Sequence, residues 1–488
     1  MTTSRLEINL AAIDHNVALI RKATASTHPS KVQLCAIIKQ DAYGLGASRI
    51  ARRLDSLGVD LLAVYCLSEA RALAETPIRT PIMVLMPVEG IERNDPLYRL
   101  LTAQRLHLTL HSERQAHALI ACGNALGMSF PVHIQVDTGM SRGGCLPDEA
   151  ERLVKLATTN PRFRLAGLCT HFSSPASDPS FTREQARLFR SWIQQIKPLL
   201  SAAVAKGQAP CVVHAANTAA TFRSSSLHAT MVRVGQGLLG YGEDAFTDLD
   251  QPATTPDHDG ESWASGGPEF AQALRSLRPC ARLLSRIVHI HEIPEGWPVG
   301  YNRTWHSKRP SRIGIIPVGY ADGYPLALSG QSQVRLTNLA WDRPRTVEPL
   351  AAYGQDPAPA VWAPLVGRVS MDQITVDLTD APEAYASVGC EVEVIGSTPG
   401  MPNHLSVLAA QAGTITHELL CRLGLVSERH YLFSDEGQGV QSQAAGGGVG
   451  GGAVGAAGGG GGAGASLSTA RTHRAGQAPL IPASPLNH

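Results

Sequence analysis

The chain has 488 residues, 43% hydrophobic and 17% charged, with a formal net charge of +1. That length exceeds one ordinary core and implies two or three domains, while the near-neutral balance gives no reason to expect a nucleic-acid or anionic-membrane partner. The first residues lack the apolar core of a signal peptide and no later apolar run is long enough to span a bilayer, so a cytoplasmic location is expected.

In chain order, residues 12–22 read as a first helix. Short apolar runs then alternate with longer amphipathic stretches, the rhythm of strand-helix units around a parallel sheet. The strands are expected at 34–38, 61–65, 82–86, 106–110, 132–137, 165–171, 211–214 and 231–234. Eight is the number that closes a (β/α)8 barrel. Helical patterns lie between them, such as 149–157 and 182–205, the latter with Pro198 interrupting it. Residues 247–268 carry Pro, Gly, Ser and acids with little apolar content and read as a linker.

After about residue 278 the strands turn β-branched and are divided by Gly and Pro (313–318, 374–378, 391–395), a separate and mostly β domain. Beyond residue 436 the chain dissolves into Gly and Ala, with a run at 446–464 that cannot offset chain entropy by burial, and disorder is expected. The organisation expected is therefore an α/β chain: an N-terminal barrel over 8–245, a linker or insertion over 246–277, a C-terminal β domain over 278–435, and a disordered Gly-rich tail over 436–488. The nine cysteines are odd in number and form no Cys-x-x-Cys pair. Several (Cys35, Cys66, Cys169, Cys211) fall in strand-like runs, so reduced core thiols are expected. His289 and His291 share one strand face without further ligands at metal-site spacing, and no metal is expected.

A lysine, Lys39, ends the first barrel strand and is followed by Asp41-Ala42-Tyr43-Gly44-Leu45-Gly46. Burial there disfavours its charge, as an amine nucleophile requires, although a strand-end lysine can simply reach solvent. The segment from Ala36 to Gly46 resembles the pyridoxal-phosphate (PLP) lysine motif of the alanine racemase family, and later segments resemble that family in the same order. Val213-His214-Ala215-Ala216-Asn217-Thr218 resembles the segment that meets the cofactor phosphate; read alone it is a helix cap, and a helix start is also an anion site. Val232-Arg233-Val234-Gly235-Gln236 resembles the segment whose Arg faces the pyridine nitrogen and whose following backbone holds phosphate. Arg233 can only donate, which would leave that nitrogen unprotonated, although a strand-end Arg can equally be a surface ion pair.

Racemisation needs proton-transfer groups on both faces of the α-carbon. The resemblance implies Lys39 for one face and, from Val318-Gly319-Tyr320-Ala321-Asp322-Gly323, Tyr320 for the other; the bland reading of Ala-Asp-Gly is a hairpin turn. It further implies that Tyr320 comes from the neighbouring subunit of a head-to-tail homodimer, with His171 lying between Tyr320 and Arg233. Gly367-Arg368-Val369-Ser370-Met371-Asp372 resembles a second-domain segment meeting the substrate carboxylate, which makes Met371 and Asp372 substrate-side residues rather than core. Asp137-Thr138-Gly139-Met140-Ser141-Arg142 matches the substrate-side Arg segment, with Arg142 as the Arg. Lys39, Tyr43, His171, Asn217, Thr218, Arg233, Gly235 and Gln236 are thus the expected cofactor residues, together with His417.

Two positions depart from the family pattern. Many members carry a carbamylated lysine where this chain has Gln135, and a neutral amide cannot balance the Arg142 charge; an anion, a water or another carboxylate is expected to do so. The family's phosphate-reaching Tyr is replaced by His417, which could donate to phosphate or stand as an ordinary helix histidine. The resemblance implies a PLP-dependent racemase acting on alanine, with a broad-specificity or serine racemase as the rival motivated by Gln135. A decarboxylase or a non-catalytic PLP carrier would have no need of the Tyr320 and Met371 segments.

Overall fold

In the computed structural model, which describes residues 4–25, 31–246, 268–342, 360–424, 428–432 and 441–443, eight parallel strands close into a barrel. They are Gln33–Ile37, Leu61–Val64, Ile82–Val84, Leu106–Leu110, Phe130–Gln135, Phe163–Cys169, Val212–His214 and Met231–Val234. Each falls on one of the eight expected runs. Closure is made by the first and last strands, which pair Cys35 with Arg233 and Ala36 with Val234. Leu34, Ala36, Leu62, Leu108, Val132, Ile134 and Leu168 belong to the main core; alternation then turns their neighbours into the barrel.

That interior is divided in two. Cys35, Leu61, Ala63, Met83 and Met231 form a small apolar cluster of their own. His107, His133, His214 and Arg233, at the same alternation on their strands, are joined by hydrogen bonds. Barrel interiors are ordinarily filled by branched apolar layers, so half of this one is unusual.

The first strand of the chain, Arg5–Asn9, was not foreseen. It enters the sheet of the C-terminal region, antiparallel to Ala281–Arg286 and parallel to Arg429–Leu432. The whole sheet runs Val361–Pro364, Gln333–Ala340, Cys390–Ile395, Ala281–Arg286, Arg5–Asn9, Arg429–Leu432, Gln441–Gln443. Arg5 and Glu7 resemble surface residues in sequence, yet both are buried. Arg5 pairs with Glu7 at 3.1 Å and Glu391 at 2.7 Å, and Arg282 reaches Glu7 at 2.8 Å. Buried charges persist only when paired in this way. Asn9 then caps the helix Leu10–Ala25, its Oδ1 accepting from the Ala11 and Ala12 amides. A smaller antiparallel sheet combines His289–Ile293, Ser311–Ile316 and Ile374–Asp377.

Three local expectations need correction. Helix Pro179–Ala205 runs continuously through Pro198. Within the expected linker, Pro268–Arg275 is a helix; Phe270 and Leu274 are buried, and it packs against helices Leu10–Ala25 and Thr218–Arg223. Gln441–Gln443, inside the expected tail, adds an edge strand to Arg429–Leu432. Residues 247–267 and the Gly-rich run at 446–464 lie outside the described residues.

Candidate active site

Lys39 stands two residues beyond the first barrel strand, at the start of the short helical turn Lys39–Tyr43. The turn is left-handed: Gln40, Asp41, Ala42 and Tyr43 have φ of 52°, 52°, 54° and 58°. For residues with a Cβ this costs about 1–2 kcal/mol each, so the surroundings must impose it. Glu69 accepts from the Gln40 amide at 2.7 Å and the Tyr65 amide at 2.6 Å, tying the ends of the first two barrel strands together. Asp41 accepts from the Ala47 amide at 2.6 Å and pairs with Arg429 at 2.6 Å. Tyr431 donates to the Leu45 carbonyl at 2.9 Å. Gly44 and Gly424 touch backbone to backbone, leaving no room for a Cβ on either, which seats helix Thr416–Gly424 on the lysine turn.

Lys39 is half-buried. Burial first, then the Arg142 charge, lowers its amine below the ordinary lysine value. The same charges act on His171, pushed down to about 3 by burial, then by Arg233, Arg142 and Lys39. Four of the expected residues are therefore within electrostatic reach of one another. Arg233, 6% exposed, donates to the carbonyls of His214, Thr170 and Ala215 and to the ring nitrogens of His214 and His171. The surface ion pair that a strand-end Arg could have made is not formed. No carboxylate pairs with Arg233 among the described residues.

The expected phosphate residues also converge. Asn217 caps helix Thr218–Arg223 by accepting from the Ala220 amide at 3.0 Å. The Thr218 hydroxyl accepts from the Gly235 amide at 3.2 Å and the Gly237 amide at 3.4 Å, joining the loops after the seventh and eighth strands. Tyr43 places its hydroxyl where a Cβ on Gly235 would stand, with Gln236 next along the chain. His417 lies half-buried in the first turn of helix Thr416–Gly424, which contacts the lysine turn.

Arg142 is exposed, on a loop knotted by Asp137, which accepts from the amides of Gly139, Met140 and Ser141. Gln135 does not bond the guanidinium; its amide donates to the Gly143 carbonyl at 2.9 Å and so braces the backbone beside Arg142. Among the described residues no acid pairs with Arg142.

Tyr320, Met371 and Asp372 form a second cluster. The Tyr320 amide donates to the Ser370 carbonyl at 3.0 Å and the Ala321 amide to the Met371 carbonyl at 2.9 Å. Gly319 is needed there, since a Cβ would strike the Met371 carbonyl. Tyr320 is 45% and Met371 54% exposed, and Tyr320 borders a cleft of about 510 Å³. Among the described residues no hydrogen bond joins the Tyr320 hydroxyl to Lys39, His171 or Arg233. The expected site residues thus fall into two groups in the described chain.

Sequence reasoning missed Glu69, Cys421 and the barrel histidines. Cys421, one helical turn after His417, lies close enough to Lys39 for their charges to interact. His107 and His133 left a readable signal, since each interrupts an apolar strand at an inward position.

Two family models, described as the N-terminal and C-terminal domains of alanine racemase, match residues 8–243 and 280–431. The alanine racemase of Treponema pallidum subsp. pallidum is 34% identical over 88% of this chain and 100% of its own. The chain belongs to the alanine racemase family. The alanine racemase of Desulfovibrio desulfuricans is 32% identical over 87% of this chain and 97% of its own. Among solved structures, alanine racemase from Clostridium difficile 630 superposes with a TM-score of 0.69 at 25% identity, covering 91% of this chain and 99% of that one. Alanine racemase from Bartonella henselae, with covalently bound pyridoxal phosphate, gives 0.65 at 26% identity, covering 88% and 100%. No described helix is long and apolar enough to cross a membrane.

Proposed function

We propose that the protein is a PLP-dependent alanine racemase whose active site is completed by a second copy of the chain. The observation that carries the reading is the Lys39, His171, Arg233 arrangement: an amine depressed by burial and Arg142, beside a guanidinium that only donates. The residues present suit the cofactor. Gly235 is too crowded for a side chain, and the Thr218 hydroxyl and the Asn217 cap meet beside it, a backbone-rich cradle of the kind that holds phosphate. His417 stands in the first turn of the helix that contacts the lysine turn. When bound, PLP supplies an electron-withdrawing ring that makes the α-proton of an amino acid removable.

Lys39, its amine depressed by burial and by Arg142, moves that proton on one face. Tyr320 of the partner subunit moves it on the other. His171 supports this role: its Nδ1 faces Arg233 at 3.1 Å, and because a guanidinium only donates, Nδ1 accepts and Nε2 carries the ring hydrogen. That N–H is available to a phenolate oxygen, which lowers the phenol's proton affinity. Arg233, which can only donate, would leave the cofactor's ring nitrogen unprotonated, which would limit charge delocalisation and side reactions. Arg142, free of acidic partners among the described residues, offers its charge to the substrate carboxylate, with Met371 and Asp372 of the partner subunit alongside. The dimer supplies what one chain lacks, and the cytoplasm is the proposed location.

The test is α-proton exchange in deuterated buffer on L-alanine and D-alanine. Wild type should racemise both with deuterium uptake, and Tyr320→Phe should make exchange strongly one-sided. Unchanged, symmetric exchange in Tyr320→Phe would overturn the two-base reading.

A further inference from the structure

Behind Arg233 a single file of imidazoles runs through the barrel interior. Arg233 Nη1 is 2.8 Å from His214 Nδ1, His214 Nε2 is 2.9 Å from His133 Nδ1, and His133 Nε2 is 2.9 Å from His107 Nδ1. His107 also bonds the backbone of Gln104, an interaction that favours its protonated ring. The rings come from the fourth, fifth and seventh barrel strands. The intervening sixth strand makes way for them with Gly167, where a Cβ would strike the His133 ring. The space is therefore shaped for the file.

Its hydrogen positions follow from one fact, that a guanidinium has no lone pair to offer. His214 Nδ1 must accept from Arg233, so His214 carries its hydrogen on Nε2. His133 Nδ1 must then accept, and the same step repeats to His107, whose remaining N–H goes to the Gln104 backbone. Every imidazole is neutral, and each turns its lone pair toward Arg233 and its N–H away. Burial, above all, keeps His133 and His214 well below the usual 6.5 and His107 at about 4, in agreement with three neutral rings.

We propose that His107 and His133 are positioning residues that act through His214, locking it in the tautomer that presents a lone pair to Arg233 and so holding that guanidinium in place. A buried cation needs compensation. Here, where no carboxylate is paired with it among the described residues, aligned imidazole dipoles and three carbonyls take that part. If His133 lost its acceptor, His214 could move its hydrogen to Nδ1, setting donor against donor at Arg233. The file is not a proton conduit, because Arg233 at its head cannot take up a proton. The role rests on the functional reading only in that Arg233 faces the cofactor ring; the tautomer chain belongs to the protein itself.

The experiment uses the full chain labelled with ¹⁵N-histidine, with and without PLP. In the cofactor-free protein, the ¹⁵N shifts of His214 should report Nε2–H alone in wild type and a mixture of tautomers in His133→Leu. PLP dissociation constants should rise by about tenfold or more in His133→Leu, the scale of one weakened hydrogen bond to a charged group. His133→Asn, which keeps an acceptor near the place of Nδ1, should recover most of that loss, which mere packing damage would not allow. If His133→Leu does not fold, His107→Leu at the outer end of the file carries the same test. A single, unchanged His214 tautomer with a PLP constant within about twofold of wild type would overturn the proposal, as would equal impairment of the Leu and Asn variants. Wild-type exchange on alanine, run in parallel, separates this from the functional reading: its absence would contradict the racemase assignment while leaving the cofactor-free tautomer result interpretable.

Discussion

Lys39 and Arg233 are both cations placed where burial opposes charge, and the protein treats them differently. Lys39 forms no ion pair among the described residues, and burial, then the Arg142 charge, makes it shed its proton more readily. Arg233 cannot shed one, and it is surrounded by acceptors. Lys39→Ala should abolish racemisation, checked by polarimetry, because no other amine is placed to serve. The neutral histidines set a pH dependence of stability. His107 at about 4 and His171 at about 3 lie below the usual 6.5. Between these values the unfolded chain binds protons that the folded chain refuses, so stability rises with pH there. Denaturation midpoints should level off well above pH 6.5 and fall as pH drops through 6.5 toward 4; constancy down to pH 4 would contradict neutral buried rings. In sequence, Lys39, Arg142 and His171 could be singled out because the segments around them resemble the family's, near the ends of expected strands. Tertiary neighbours such as Glu69 and Cys421 were not, since nothing in their local pattern announces the turn they meet.

At the scale of elements, the left-handed turn after Lys39 is the costly part and the informative one. Gln40 is exposed with φ of 52°, a conformation that glycine adopts freely. Gln40→Gly should therefore stabilise the protein by up to about 1 kcal/mol, offset in part by unfolded-chain entropy. It should also lower kcat, because the turn that aims Lys39 is loosened. Chemical denaturation and steady-state kinetics on one preparation would check both signs. Gly46, with φ of 90°, lies against the Tyr431 hydroxyl, and Gly46→Ala should cost about 1–3 kcal/mol through clash and strain. The eight barrel strands were readable from alternating runs, and the Gly-rich turn marked the lysine segment. Its handedness was not, because only Asp41 among these residues tolerates that region while Gln40, Ala42 and Tyr43 disfavour it; Glu69, Arg429 and Tyr431 impose it from far along the chain. The strand Arg5–Asn9 escaped notice for a related reason: its charges suggest exposure, and distant partners such as Glu391 and Arg282 make their burial tolerable.

For the whole molecule, the two groups of site residues decide the account. The Lys39 cluster gathers at the C-terminal ends of the barrel strands, where this fold does its chemistry, while Tyr320 and Met371 are exposed and, among the described residues, make no hydrogen bond to that cluster. A head-to-tail pair of chains would bring one of each together twice, in a closed twofold arrangement. The most direct measurement mixes two inactive variants, Lys39→Ala and Tyr320→Phe, under conditions that exchange subunits, and follows racemisation of alanine. In a mixed dimer one site receives an intact Lys39 and an intact Tyr320, so an equal mixture should regain about one quarter of wild-type activity. Continued inactivity in a mixture shown to contain mixed dimers would contradict a site shared between subunits.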